Sequence, residues 1–236
     1  MKKHITLIHD YSKWLIIAIF SSLIVFYSCS KGGHYGSVKE GTIKYKITYL
    51  ESEKENPIIG LLPSTLKMQF SNDNVVLNIN GWSNIFKSSF IKRKNNDTYT
   101  LLKIIGKKYV YQSPEGETYY GISVPENVKI EYDDNSTKIL AGFECKHAVV
   151  VISDTTSFDV YYTPDIRIKN PTVNTPLDEI PGMLMAFTLE MNGIPMRLEA
   201  IEYIDEKVPE SAFEIPTGYK PVERSAMDEI FNGLRK

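Results

Sequence analysis

Apolar and polar positions alternate with a period of two through much of this chain. Ile43, Tyr45, Ile47 and Tyr49 are interleaved with Thr42, Lys44, Lys46 and Thr48, the pattern of a strand with one face on a core and one in water. Leu66, Met68 and Phe70 share a face, as do Val75, Leu77 and Ile79 after Ser71-Asn72-Asp73-Asn74. A two-residue turn at Asn72-Asp73 sets Phe70 opposite Val75, Met68 opposite Leu77 and Leu66 opposite Ile79, so turn chemistry and apolar register agree. The same test works at Asn192-Gly193, a strong hairpin signal. It pairs Met191 with Ile194, Leu189 with Met196, Phe187 with Leu198 and Met185 with Ala200. Two hairpins that close with their apolar faces in register predict an antiparallel sheet.

Further strands are expected at 99–105, 109–112, 119–123, 128–132, 146–153 and 157–163. Turn residues separate them at Gly106-Lys107, Pro114-Glu115-Gly116 and Asp133-Asp134-Asn135. Residues 51–64 read as a loop, polar at first and then apolar. Residues 82–90 fit a short helix or an edge strand. The stretch 169–181 holds three prolines and little periodicity, which predicts a long loop. The chain ends in a helical pattern, with Ser225 as cap, Asp228 in capping-box position and Met227, Ile230, Phe231 and Leu234 on one face. Arg235 and Lys236 suit the negative end of its dipole. This helix is expected to dock on the sheet; a partner-binding helix is the alternative.

The start of the chain has a different pattern. Trp14 to Tyr27 is an uncharged apolar block of 14 residues, preceded by Lys2 and Lys3 and bounded by Asp10 and Lys13. A membrane-spanning helix needs about 20 such residues. A basic start, a short apolar centre and a small residue before the cut make a secretory signal instead. Ser28-Cys29 supplies the small residue and a thiol, and this resembles the lipobox of bacterial lipoproteins, whose cysteine is acylated and becomes the new N-terminus. Residues 1–28 are therefore expected to be a lipoprotein signal peptide and 29–40 a flexible tether. Residues 41–236 are expected to form a single antiparallel β domain with a C-terminal helix. The membrane would be held through acyl chains on Cys29, since two or three chains anchor stably where one is marginal. In the lipoproteins this segment resembles, surface export goes with acidic residues just after the cysteine. None follows Cys29, so the resemblance implies the cell envelope, with the protein anchored in the outer membrane and facing the periplasm.

Charge and composition narrow the partners. Residues 1–28 contain three lysines and one aspartate, so of 27 basic and 29 acidic residues the rest of the chain keeps 24 and 28. That balance gives no reason to expect nucleic acid or an anionic surface. Fifteen Tyr and ten Phe favour strands. With Cys29 acylated, only Cys145 is left as a thiol, so no intrachain disulfide is expected.

Candidate chemistry is sparse. Beyond residue 28 the only histidines are His34 and His147, too few for a zinc or redox-metal site. The nucleotide-binding and hydrolase motifs GxGxxG after a strand, GxxxxGK[ST] and GxSxG do not occur. Cys145 and His147, two apart on a strand, have the residue types of a nucleophile dyad. Neighbours so placed are poorly aimed at each other, and packing is the expected role of Cys145. No catalytic residue and no cofactor is expected. Met183, Met185, Met191 and Met196 instead gather on one hairpin with Phe187, Leu189 and Leu198, and flexible thioethers suit adaptable binding surfaces. Ordinary core is the competing explanation.

Several stretches carry a family likeness. They are Gly41-Thr42-Ile43-Lys44-Tyr45, Ala141-Gly142-Phe143-Glu144-Cys145-Lys146, Val160-Tyr161-Tyr162-Thr163, Pro181-Gly182-Met183-Leu184 and Phe213-Glu214-Ile215-Pro216. Together they resemble uncharacterised Bacteroidetes envelope proteins of the GLPGLI type and related domains of unknown function. Such domains look like the LolA/LolB carriers. The resemblance implies a mainly β protein with a strongly bent antiparallel sheet, an open half-barrel, plugged on its concave side by a helix and covering loops. It also implies that the concave face shelters lipid. The residues expected to line that pocket are Met68, Leu77, Met185, Phe187, Met191, Met196 and Leu198, with no charge among them. The expected function is non-covalent holding of an apolar, lipid or lipoprotein-acyl ligand. The rival is a non-catalytic structural or protein-interaction lipoprotein with a filled core, binding through the 169–181 loop or the terminal helix.

Overall fold

The computed structural model describes residues 37–81, 86–168 and 172–234. Contacts divide the chain into Met1–Gly33 and His34–Lys236, and every described residue belongs to the second unit. The signal peptide, Cys29 and most of the tether lie outside the described residues.

One sheet of 13 strands organises the domain. The strands are β1 (Glu40–Tyr49), β2 (Thr65–Ser71), β3 (Asn74–Asn80), β4 (Phe86–Lys92), β5 (Thr98–Ile104), β6 (Lys107–Gln112) and β7 (Ile122–Ser123). They continue with β8 (Lys129–Leu140), β9 (Phe143–Ser153), β10 (Thr156–Thr163), β11 (Met183–Met191), β12 (Ile194–Ile204) and β13 (Lys220–Pro221). Helix α1 (Arg224–Leu234) ends the described chain. The order is β13-β6-β5-β4-β3-β2-β1-β12-β11-β10-β9-β8, with β7 on β11. Pairing is antiparallel except between β13 and β6. Two meanders, β2 to β6 and β8 to β12, thus meet on the two edges of β1.

The sheet is open and bent. β8 and β12 are four places apart in the order, which in a flat sheet would separate them by about 19 Å. Yet Lys138 Nζ of β8 donates to Glu199 Oε2 of β12 at 2.9 Å. Phe143, at the start of β9, meets the Tyr203 ring edge-on at 5.1 Å. Pairing slips at Lys44/Tyr45, Tyr161/Tyr162, Thr156/Ser157 and Asp133/Thr137, and such irregularities bend a strand and increase its twist.

Both hairpins read from the sequence are present. Phe70 faces Val75 and Met68 faces Leu77; Met191 faces Ile194, Leu189 faces Met196 and Phe187 faces Leu198. Their turns sit in the left-handed region, at φ 49° and 67° for Asn72 and Asp73 and 51° and 78° for Asn192 and Gly193, as two-residue hairpin turns require.

Four local expectations are corrected. Asp133-Asp134-Asn135 is not a turn: β8 runs through it, with 134–136 left out of the register against β9. The short acidic side chain serves the bulge, since Asn135 N donates to Asp133 Oδ1 at 3.1 Å. Of 119–123 only Ile122–Ser123 is a strand, because the preceding residues turn in to cover the sheet. The fold begins before residue 41: Val38 N donates to Asp165 O at 2.7 Å, so the end of the expected tether is held. Helix α1 starts at Arg224, which puts Ser225 inside the first turn; Ala226 N donates to the Glu223 carbonyl instead.

Strands β3 to β6 are covered on both faces. On one, Val76, Ile91, Tyr99 and Leu101 pack against Val208 and Phe213 from the connection between β12 and β13. On the other, Met227, Ile230 and Phe231 of α1 pack on Leu102 and Tyr111. The helix therefore docks on the sheet, on the face that carries Leu77 and Phe90.

The β5–β6 turn carries backbone strain. Ile105 sits at φ 45° with 79% of its surface exposed, and a β-branched residue is disfavoured there. Ile105→Asn, which recreates the Asn-Gly pair of the other hairpin, is expected to raise the unfolding free energy by about 1 kcal/mol. Urea titration of the two proteins measures this.

Candidate functional site

The concave face of the sheet is formed by every second residue of β1, β2, β3, β11 and β12. Along each strand these side chains form a row, and the rows continue across the sheet because the registers are matched. The middle of this face is closed over by two chain segments, 118–124 and 172–177. Between them and the sheet lies a small recess of about 50 Å³, lined by Met68, Leu77, Phe187, Leu189 and Leu198 below and by Tyr119 above. Tyr119 is held by an edge-on contact with Phe90, ring centroids 5.6 Å apart. Tyr45 spans the floor: its hydroxyl donates to Leu184 O at 2.8 Å and its ring meets Phe187 edge-on at 6.1 Å.

A second recess of about 310 Å³ lies one residue pair further along the same rows. Ile47 follows Tyr45, Ile79 follows Leu77, and Met191 and Met196 follow Leu189 and Leu198 at the hairpin end. Its outer wall is the 3-10 turn Pro57–Leu61 and its far wall includes Phe231 of α1. Leu61 and Ile58 on the rim are 66% and 39% exposed, so this recess has a mouth. Tyr49 ties the rim to the sheet by donating to Pro63 O at 2.6 Å, and burial pushes its hydroxyl up to about 12. Among the described residues, none that lines either recess carries a charge.

The residues expected to line a pocket divide accordingly. Met68, Leu77, Phe187 and Leu198 line the smaller recess, and Met191 and Met196 line the larger one. Met185 lines neither. It sits two residues further from the hairpin turn along β11, with no exposed surface, inside the main core cluster. The pattern of alternation could not reveal the depth at which core packing ends. Also missed were Tyr119, Thr118 and Thr175, which come from covering segments and have no periodic signal. The one hint was the proline-rich stretch 169–181, too long to be a plain turn.

Cys145 and His147 do not meet. The buried parity of β9 changes between them: Phe143 and Cys145 are buried, then Ala148 and Val150. The change falls where β8 slips its register. Cys145 Sγ donates to Phe143 O at 3.4 Å inside the core. His147 stacks on Tyr161 and places Nε2 2.9 Å from Asp159 Oδ1 and Nδ1 3.4 Å from Asp133 Oδ2. Among the described residues, no group of three or more His, Cys, Asp or Glu stands where it could hold a metal ion.

Burial pushes the Cys145 thiol up from 9.0 to about 12. The folded protein thus keeps a proton that the unfolded chain releases above pH 9.0. The resulting stabilisation is complete below that pH and is lost as pH rises towards about 12. The unfolding free energy should fall across this interval, and less steeply in Cys145→Ala, as urea titrations at stepped pH would measure.

No family model matches the chain, and no curated protein matches it. Two solved structures of PNGF-II are similar in fold. In the P21 space group the identity is 13% and the TM-score 0.49; in the C2 space group they are 12% and 0.50. Each alignment covers 82% of this chain and 33% of the other, so the chain spans about a third of the length of the structures it matches. At such identities the likeness concerns the fold alone.

Proposed function

We propose that this chain is a lipid-anchored, non-catalytic binding module of the periplasm that holds an apolar ligand on the concave face of its sheet. The observation that supports this most is the uncharged recess of about 310 Å³ whose mouth opens beside Leu61. Small-molecule sites are mostly apolar and start at roughly 300 Å³. An aliphatic chain entering it would gain about 25 cal/mol for each Å² removed from water, less the cost of ordering it. Met191 and Met196 on its floor can adjust to chains of different shape. The LolA/LolB-like role belongs to this same proposal and rests on the sequence resemblance.

One observation favours the rival reading of a structural or interaction lipoprotein. The middle of the face is almost filled by the chain's own covering segments, leaving about 50 Å³. Mass spectrometry of an organic extract of the protein, purified without detergent, separates the two. Co-purifying acyl lipid is expected, in smaller amount from a variant with Ile58→Glu and Leu61→Glu. Both changes are at exposed positions, where substitutions are usually tolerated. An extract without lipid would favour the rival.

Anchoring has its own test. A palmitate analogue fed to cells should label the protein, and Cys29→Ala should abolish the label. Undiminished labelling of Cys29→Ala would exclude the lipobox reading.

A further inference from the structure

The smaller recess is apolar on the sheet side but not on the covering side. Thr118 and Tyr119 reach it from one segment and Thr175 from the other. The Thr118 Oγ1, Tyr119 Oη and Thr175 Oγ1 atoms are all buried and have no hydrogen-bond partner among the described residues. Tyr119 as a whole is only 4% exposed. A buried hydroxyl without a partner costs roughly 1–3 kcal/mol, and of the five found among the described residues, Ser88 and Ser113 lie elsewhere while three belong to the lining of this one small recess. Valine and phenylalanine would fill the same space without that cost.

We propose that these hydroxyls receive the uncharged polar group of a lipid, an ester or amide carbonyl, whose aliphatic chain extends into the larger recess. This deepens the binding reading above and rests on it. The two recesses stand on the same strand rows, with Leu77 and Leu189 under the first and Ile79 and Met191 under the second, and the chain would follow these rows. The smaller volume of about 50 Å³ suits a small group rather than a bulky head.

The chemistry selects against a free fatty-acid anion. No cation lines either recess among the described residues, and an ionised carboxylate taken out of water without a counter-charge is costly. The charge that acts on Tyr119 has the wrong sign. Asp178, which accepts from Thr172 Oγ1 at 2.7 Å, lies close enough to Tyr119 to add to the effect of burial in holding its phenol protonated. Tyr119 is thus a neutral donor beside a fixed negative charge, an arrangement that accepts a carbonyl and repels an anion.

The test is a competition on the full-length protein. Equal amounts of a long-chain hydrocarbon, the methyl ester and the fatty-acid salt of matched chain length are offered together. The protein is then repurified, and what it retains is quantified by mass spectrometry. The methyl ester is expected to be retained roughly tenfold over the hydrocarbon, the size of one net hydrogen bond, with the salt last. Tyr119→Phe and, separately, Thr175→Val should bring the ester-to-hydrocarbon ratio towards one while total retention holds. If ester and hydrocarbon are retained equally and Tyr119→Phe changes nothing, or if the salt is retained best, this inference is overturned while the binding reading stands. Retention of none of the probes overturns both.

Discussion

Everything in this domain depends on the ladder between β1 and β12. It joins Thr42 to Ile204 and Tyr49 to Met196, segments from opposite ends of the folded chain. Each meander can form from local contacts, but neither alone encloses an interior. Closing so long a loop costs entropy before any contact offsets it. What offsets it is the apolar row that the ladder completes: Ile43, Tyr45 and Ile47 on one strand, Leu198 and Ala200 on the other, all but fully buried. The Tyr45 hydroxyl fixes the joint by donating across the interior to Leu184 O.

The bend follows from the same joint. With β1 as its central strand, the sheet has a long arm on each side, and pairing irregularities in β1, β8 and β10 let the β8–β9 end curl back to β12. A bent sheet presents more apolar surface on its concave side than the strands can bury among themselves. The chain covers that surface with the 118–124 and 172–177 segments in the middle and with α1 at one end. Among the described residues, the cover at the hairpin end of β11 and β12 consists of the 3-10 turn Pro57–Leu61 with Phe86 and with Phe231 of α1. The larger recess is the space that the described cover leaves above this part of the concave face.

Polar groups mark the difference between the two parts of that face. Tyr45 and Tyr49 both find backbone carbonyls, at 2.8 and 2.6 Å, and so serve structure. The hydroxyls of Thr118, Tyr119 and Thr175 find none among the described residues. Cys145 is a further contrast, a thiol whose burial keeps it protonated and chemically quiet.

The sequence by itself determined which residues face inward on each strand, because a period of two admits only two faces and one of them is apolar. The registers of the two hairpins were equally legible, since Asn72-Asp73 and Asn192-Gly193 each allow one turn geometry that aligns the apolar rows. Alternation could not tell how deep a residue lies once it faces inward. Met185 and Met191 read alike on the page, yet one ends in solid core and the other at a recess. Nor could it place the covering segments, whose residues contact strands far away in sequence and carry no period of their own. The parity change at Cys145 and His147 came from a bulge in the neighbouring strand β8. Only the tertiary structure decided these points, because depth, cover and strand slippage are set by what packs on an element and not by the element itself.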